Sequence, residues 1–391
     1  MKRSTERILT THVGSLPRPE NLIEAARARM ENRAIDEAAF TAQVRSAVAE
    51  TIRHQAKTGI DIVADGEMGK AGFIPYINER LGGFTPAKTP MGGSYWGNSR
   101  EVRAFPAFYD WAARQAGTAG NVGGSRWVCT GPISYKGGAA LARDIDNLKA
   151  ALATVKVEEA FMPAISPTNV EDWNTNEHYK SAEDYLYAIA DALHEEYKAI
   201  VDAGLILQVD DPALATYYVL HPEASIADCV KWATARVDAL NHALRGIPPE
   251  KVRYHTCYSI NMGPRVHEME MKDLVGVMLR VNAGAYSFEY GNPRHEHEWR
   301  VWETVKLPAG KVLIPGIVTH STNLVEHPEL VAERIGRFAK VVGRENVIAG
   351  ADCGFASFAT SLEVHPDVVW AKLEALVQGA RIASQALWGR A

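Results

Sequence analysis

The chain has 391 residues, 47% hydrophobic and 23% charged, with a formal net charge of −5. This is a globular composition, and an acidic balance without any Lys/Arg run excludes the electrostatic footprint of a nucleic-acid binder. No apolar run approaches the ~20 residues of a membrane span, no apolar segment follows Met1-Lys2-Arg3 as in a signal peptide, and the four cysteines are unevenly spaced, so a cytoplasmic protein is expected.

Short apolar runs alternate with longer helical stretches along the chain. The first runs are 8–15 and 60–67. From about 82 to 124 the sequence is rich in Gly, Pro and aromatic residues, among them Tyr95, Trp96, Phe105, Phe108 and Tyr109, which predicts a long insertion at the mouth of the fold. Runs resume at 127–134 and 161–167. Ser181 then opens a helix with acidic residues in its first turn; Tyr185, Leu186, Ile189, Leu193 and Tyr197 fall on one face, and Gly204 stops it. Runs 205–211, 252–259 and 285–291 follow. The stretch Arg294-His295-Glu296-His297-Glu298 resembles a metal patch, but it reads better as the charged first turn of a helix, where residues two apart diverge. Run 312–318, a helix over 328–342 that ends at Gly343, and run 346–354 complete the pattern. Most runs lack the polar alternation of a half-exposed strand, which suits parallel strands covered on both faces. The predicted fold is a (β/α)8 TIM barrel, α/β class, with residues 1–391 in a single domain. Nine runs compete for eight places, so either 8–15 or 161–167 is expected to lie outside the ring.

Polar groups collect where the runs end: Asp65-Gly66-Glu67, Thr130-Gly131-Pro132, Ser166-Pro167, Asp210-Asp211-Pro212, His255-Thr256-Cys257, Glu289-Tyr290-Gly291-Asn292, Thr319-His320-Ser321 and Asp352-Cys353-Gly354. In a barrel, this C-terminal face carries the active site. His255 and Cys257, two apart on a strand, point to the same side, where an imidazole and a thiolate can share a zinc ion. Cys353 and Glu289, also at strand ends, offer the remaining ligands; a buried core cysteine is the competing reading. Cys129, within a run, and Cys229, on a helix, fit core or surface thiols. Asp210 and Asp211 face opposite ways, so at most one lines the lumen and the other serves a turn or cap. Asp65 and Glu67 share a side and either enter the site or form a salt bridge beneath it. His320 is placed to give or take a proton, although a lone histidine is as readily structural.

Taken in order, these pieces resemble the C-terminal catalytic barrel of cobalamin-independent methionine synthase. The matching segments are Thr-Thr-His-Val-Gly-Ser (10–15), Asp-Gly-Glu (65–67), Thr-Gly-Pro (130–132), Val-Asp-Asp-Pro-Ala-Leu (209–214), His-Thr-Cys-Tyr-Ser (255–259), Ser-Phe-Glu (287–289), Thr-His-Ser (319–321) and Asp-Cys-Gly (352–354). The resemblance implies zinc ligands His255, Cys257, Glu289 and Cys353. It implies that Val13, Gly14 and Ser15 hold the carboxylate of an amino-acid thiol, that Glu67 and Asp210 hold its amino group, and that His320 supplies a proton; Asp65, at a neighbouring run end, is a further candidate for the acid.

The departures concern the donor. The tryptophan that follows the family's Thr-Gly-Pro is missing, residues 133–138 reading Ile-Ser-Tyr-Lys-Gly-Gly. The family's Asp-Glu-Pro is Asp-Asp-Pro, and Thr216 stands where a folate-contacting glutamate would. Epoxyalkane:coenzyme M transferases resemble the chain more closely in the Asp-Asp-Pro motif and in residues 294–303. The expected function is zinc-dependent alkyl (methyl) transfer to an activated thiol such as homocysteine. The alternatives are epoxide opening by a zinc-bound thiolate, a metal-free uroporphyrinogen-decarboxylase-like enzyme, and a non-catalytic zinc or thiol-metabolite binder. The expected partners are a small-molecule thiol and an alkyl donor, with no nucleic acid or membrane; assembly into a homo-oligomer is left open.

Overall fold

The computed structural model describes residues 1–30, 33–87, 96–116, 127–260, 262–360 and 364–389. Its strands are β1 (Leu9–Thr10), β2 (Ile62–Val63), β3 (Leu81–Pro86), β4 (Trp127–Tyr135), β5 (Glu159–Ile165), β6 (Thr175–Asn176), β7 (Ile206–Asp210), β8 (Val252–Thr256), β9 (Ala285–Phe288), β10 (Val312–Val318) and β11 (Ile348–Ala351). Eight of them pair in parallel in the order β1-β11-β10-β9-β8-β7-β5-β2. A parallel bridge between Thr11 and Ile62 joins the two ends and closes the ring. The fold is the expected α/β barrel.

The expected identity of the odd run is corrected. Runs 8–15 and 161–167 both supply ring strands, and the run that lies outside is 127–134. Its strand, β4, pairs antiparallel with β3 and parallel with β6 in a separate three-stranded sheet. The physical reason is readable in its side chains. Residues 130–135 alternate between exposed and half-buried, whereas β7, β8, β9, β10 and β11 are buried throughout. The Gly131-Pro132 step falls where the β3–β4 register shifts, as at a bulge. The polar Thr130-Gly131-Pro132 group is therefore not a barrel strand end.

Inside the ring, Leu9, Ile62, Phe161, Ile206, Ile314 and Ile348 form part of a small floor cluster. The larger core fills the space between strands and helices. The helix Ala182–Asp202 begins where Ser181 accepts from the Asp184 N–H, and Tyr185, Leu186, Ile189, Leu193 and Tyr197 are all buried. Pro328–Val342 ends at Gly343, whose φ is +88°. Among the described residues, no helix is long and apolar enough to cross a membrane.

The insertion near 82–124 is anchored over the barrel mouth. Its helix Arg100–Ala104 donates from Arg100 to the carbonyls of Tyr218, His221 and Ala224, and its buried Glu101 accepts from the His267 N–H. Tyr95, with the rest of 88–95 and 117–126, lies outside the described residues.

Candidate active site

Alternation along β8 turns Arg253 and His255 inward, and Cys257 continues the same side just past the strand end. Arg253 crosses the lumen to Thr11 Oγ1 (3.0 Å) and the His12 carbonyl (2.8 Å), with its guanidinium 4.0 Å from the Phe161 ring centroid. Above this layer, ligand atoms of His255, Cys257 and Cys353 all lie within 4.8 Å of one another, and all three residues are buried. Glu289, His320 and Asp352 form a second buried cluster of the same tightness. The two adjoin: Glu289 and His320 both act electrostatically on His255.

The first cluster has the chemistry of a metal site. His255 Nδ1 lies 3.3 Å from Ser287 Oγ, while Nε2 is buried without a hydrogen-bond partner. A fixed outer nitrogen and an unengaged inner one is how a metal-ligating histidine is held. Burial, aided by Arg253, lowers His255 to about 3, so the ring is neutral, as ligation requires. Contact with the Cys353 sulfur, together with burial, holds the Cys257 thiol well above its ordinary range. Such a thiol ionises only when a cation compensates its charge.

Glu289 is held firmly. Its Oε2 accepts from the Tyr258 N–H (2.9 Å), its Oε1 accepts from Asn292 Nδ2 (3.0 Å), and Arg265 Nη1 lies 2.6 Å from the same Oε1. Burial opposes its charge, but Arg265 outweighs this and lowers it to about 2. Asp352 accepts from the N–H groups of Tyr290 and Gly291 and from Asn292, so it shapes the turn that carries Glu289. Gly316 makes this possible, because a Cβ there would lie 2.1 Å from Asp352 Oδ1. Burial lowers the His320 ring to about 4, and neither ring nitrogen is hydrogen-bonded.

A pocket whose empty space, open solvent at its mouth included, is about 380 Å³ meets the His255–Cys257–Cys353 cluster and is also lined by Val13, Ser15, Glu67 and Asp210. Gly14 lies behind this wall; its φ is +136°, and a Cβ would come within 2.6 Å of Pro163. Ser15 fills the space a side chain at 354 would need, since a Cβ on Gly354 would lie 2.0 Å from Ser15 Oγ. Glu67 pairs with buried Lys70 (3.0 Å), so it both enters the site and makes the salt bridge posed as its alternative. Asp210 accepts from Gln208 (2.7 Å), and burial with Glu67 nearby raises it well above the carboxylate range. Asp211 turns away to Tyr254 and Asn169, as adjacent strand residues must. Asp65 does not line the cavity; it accepts from the Glu67 N–H (3.0 Å), and burial raises it to about 6.

The pocket continues into a second cleft, which shares Phe73, Pro212, Ser259 and Ile260 with it and runs to Trp96, Trp173, Thr216 and Phe358. Among the described residues, the non-glycine positions of positive φ are Glu67, Ser259 and Arg265. All three touch the site, where backbone strain is tolerated when the surroundings impose it. Sequence reasoning did not find Ser287, Lys70 or Arg265. Ser287 was accessible from its place two residues before Glu289, and Lys70 from its i+3 spacing to Glu67. Arg265 sits in an aperiodic loop and gave no signal.

Residues 8–120 and 124–377 match the family described as cobalamin-independent synthase, catalytic domain. A methionine synthase of Sulfolobus acidocaldarius is 23% identical over 379 residues, covering 97% of this chain and 93% of the relative. One from Thermococcus kodakarensis is 25% identical over 385 residues, covering 97% and 94%. A solved B12-independent methionine synthase from Shewanella sp. W3-18-1, in complex with selenomethionine, superposes with a TM-score of 0.71 at 21% identity, covering 98% of this chain and all of that one.

Proposed function

The chain belongs to the cobalamin-independent synthase catalytic-domain family, and from that membership we propose that it is a zinc-dependent methyltransferase that alkylates a thiol such as homocysteine. The observation that carries the metal reading is the buried His255–Cys257–Cys353 cluster with His255 Nε2 unengaged. Glu289 is the fourth donor that the family pattern assigns. Zinc bound there would supply the charge that keeps an acceptor thiol ionised at neutral pH.

The remaining roles fall to the chain itself. Ser15, with the backbone of Val13 and Gly14, holds the acceptor's carboxylate; Glu67 and Asp210, which line the same cavity, face its amino group. Such two-ended binding fixes the sulfur's line of approach. As sulfur bonds to the transferred carbon, the bond from that carbon to its nitrogen or oxygen breaks, and the departing atom needs the proton the thiol gave up. His320, buried and neutral, is suited to carry it. Asp65 supports Glu67 from beneath. The aromatic cleft of Phe73, Trp96, Trp173 and Phe358 receives the donor.

A second reading, epoxide opening, is favoured by one feature: Thr216 lines the donor cleft at the position of the family's folate-contacting glutamate. The test is metal content by mass spectrometry, followed by turnover of the zinc form with homocysteine or coenzyme M, each offered a methyltetrahydrofolate or a short epoxide. Methionine as product supports methyl transfer, and a hydroxyalkyl thioether supports epoxide opening. A protein that stays zinc-free under metal-replete conditions and is nevertheless active would return the barrel to the metal-free class.

A further inference from the structure

The charged stretch after β9 has no part in the steps above, yet it is tied to the site by an unbroken line of buried charges. Arg265, in the loop after β8, has Nη1 2.6 Å from Glu289 Oε1 and Nε 2.7 Å from Glu268 Oε1. The other oxygen of Glu268 meets His295 Nε2 at 2.8 Å, and His295 Nδ1 meets Glu298 at 2.8 Å. The His295 ring stacks on Tyr258 with centroids 4.2 Å apart, and the Tyr258 N–H bonds Glu289. Arg265, Glu289, His295, Glu298 and Tyr258 are buried, and Glu268, half-buried as a residue, has a side chain only 4% exposed. Arg265 adopts φ +58° to reach its place, a conformation that costs a non-glycine residue energy.

The position of Glu289 gives this line a meaning. The cluster of His255, Cys257 and Cys353 does not include Glu289, which groups instead with His320 and Asp352. A guanidinium and a divalent cation compete for the same carboxylate charge. We propose that Arg265 is a positioning residue that draws Glu289 away from the metal centre and so leaves a ligand position for the acceptor thiol, with Glu268 setting how strongly it does so. This rests on the zinc reading given above. Arg265 divides its charge between two carboxylates; whatever weakens its hold on Glu268 strengthens its hold on Glu289.

The sign of two effects tests the idea. Zinc affinity is measured by chelator competition without thiol, and homocysteine binding to the zinc-loaded protein by calorimetry. Arg265→Gln releases Glu289 to the metal, so zinc binding tightens about 10-fold, at the lower end of outer-partner effects, and homocysteine binding weakens by a similar factor. Glu268→Gln leaves Glu289 as the charged partner of Arg265, so zinc binding weakens. If Arg265 only supported the ligand shell, both variants would lose zinc affinity together, and that result overturns the proposal. Should Arg265→Gln not fold, unchanged or tighter zinc binding in folded Glu268→Gln overturns it equally. A wild-type chain that binds zinc through Cys257 and Cys353 while these variants disagree with the expected signs refutes only the role of Arg265. A wild-type chain that binds no zinc refutes the metal reading and this inference with it.

Discussion

The sulfur of Cys257, just past β8, lies 3.3 Å from the sulfur of Cys353, just past β11, although 96 residues separate them in the chain. Two buried thiols this close repel if both ionise, and the Cys353 sulfur and burial keep Cys257 protonated in the metal-free protein. Zinc binds thiolates, so binding must expel protons. Calorimetry at about pH 7 in buffers of different ionisation enthalpy is expected to show at least about one proton released per zinc. Cys257→Ser and Cys353→Ser should each lower zinc affinity by more than the roughly 10–100-fold typical of outer partners. A serine variant that keeps full affinity would strike that residue from the ligand set.

His320 is assigned to proton transfer, not to metal binding. His320→Gln is therefore expected to lower kcat by about 10²–10⁴-fold while zinc content and thiol affinity stay near wild type. Parallel loss of zinc would show that the ring is structural or a ligand.

Gly354 has no room for a side chain, because a Cβ would meet Ser15 Oγ at 2.0 Å. Gly354→Ala is expected to displace Ser15, raise KM for the acceptor thiol and cost about 1–3 kcal/mol of stability. Steady-state kinetics and denaturant unfolding read the two effects. A rise in KM for the alkyl donor alone would contradict the place given to Ser15.

Lys372 is fully buried and pairs with Glu326 at 3.0 Å; Glu326 also accepts from the Thr319 N–H, beside His320. Lys372→Met leaves that carboxylate buried without its partner. A loss of about 3–5 kcal/mol in unfolding free energy is expected. A loss below about 1 kcal/mol, the range of exposed pairs, would mean that the pair contributes little.

His295 links stability to pH. Burial opposes its charge, but hydrogen bonds to Glu268 and Glu298 win and raise it from 6.5 to about 9. A raised histidine stabilises the fold fully below its unfolded value and loses that contribution as pH climbs through the folded one. Stability is thus expected to fall between about pH 6.5 and 9, by at most about 3 kcal/mol from this group. His295→Gln should remove most of the slope. Denaturant titrations at the two ends of the window decide it, and an undiminished slope in the variant would place its origin elsewhere.

The sequence by itself determined the barrel and most of the thiol-side candidates. Buried parallel strands must be apolar on both faces, and a period of two sends His255 and Cys257 to the same side without reference to anything distant. The placement of Asp210 and Asp211 on opposite sides followed from the same rule. Only the tertiary structure decided which run stands outside the ring, because that depends on which distant strands each run pairs with. β4 sits beside β3 and β6 despite an apolar start much like the others. Only the structure separated Asp65, which supports the Glu67 backbone, from Glu67, which reaches the cavity. The Arg265–Glu289 pair lay beyond sequence reading for the same physical reason. Local periodicity reports which way a strand or helix residue faces, whereas a loop side chain goes where distant elements leave it a counter-charge.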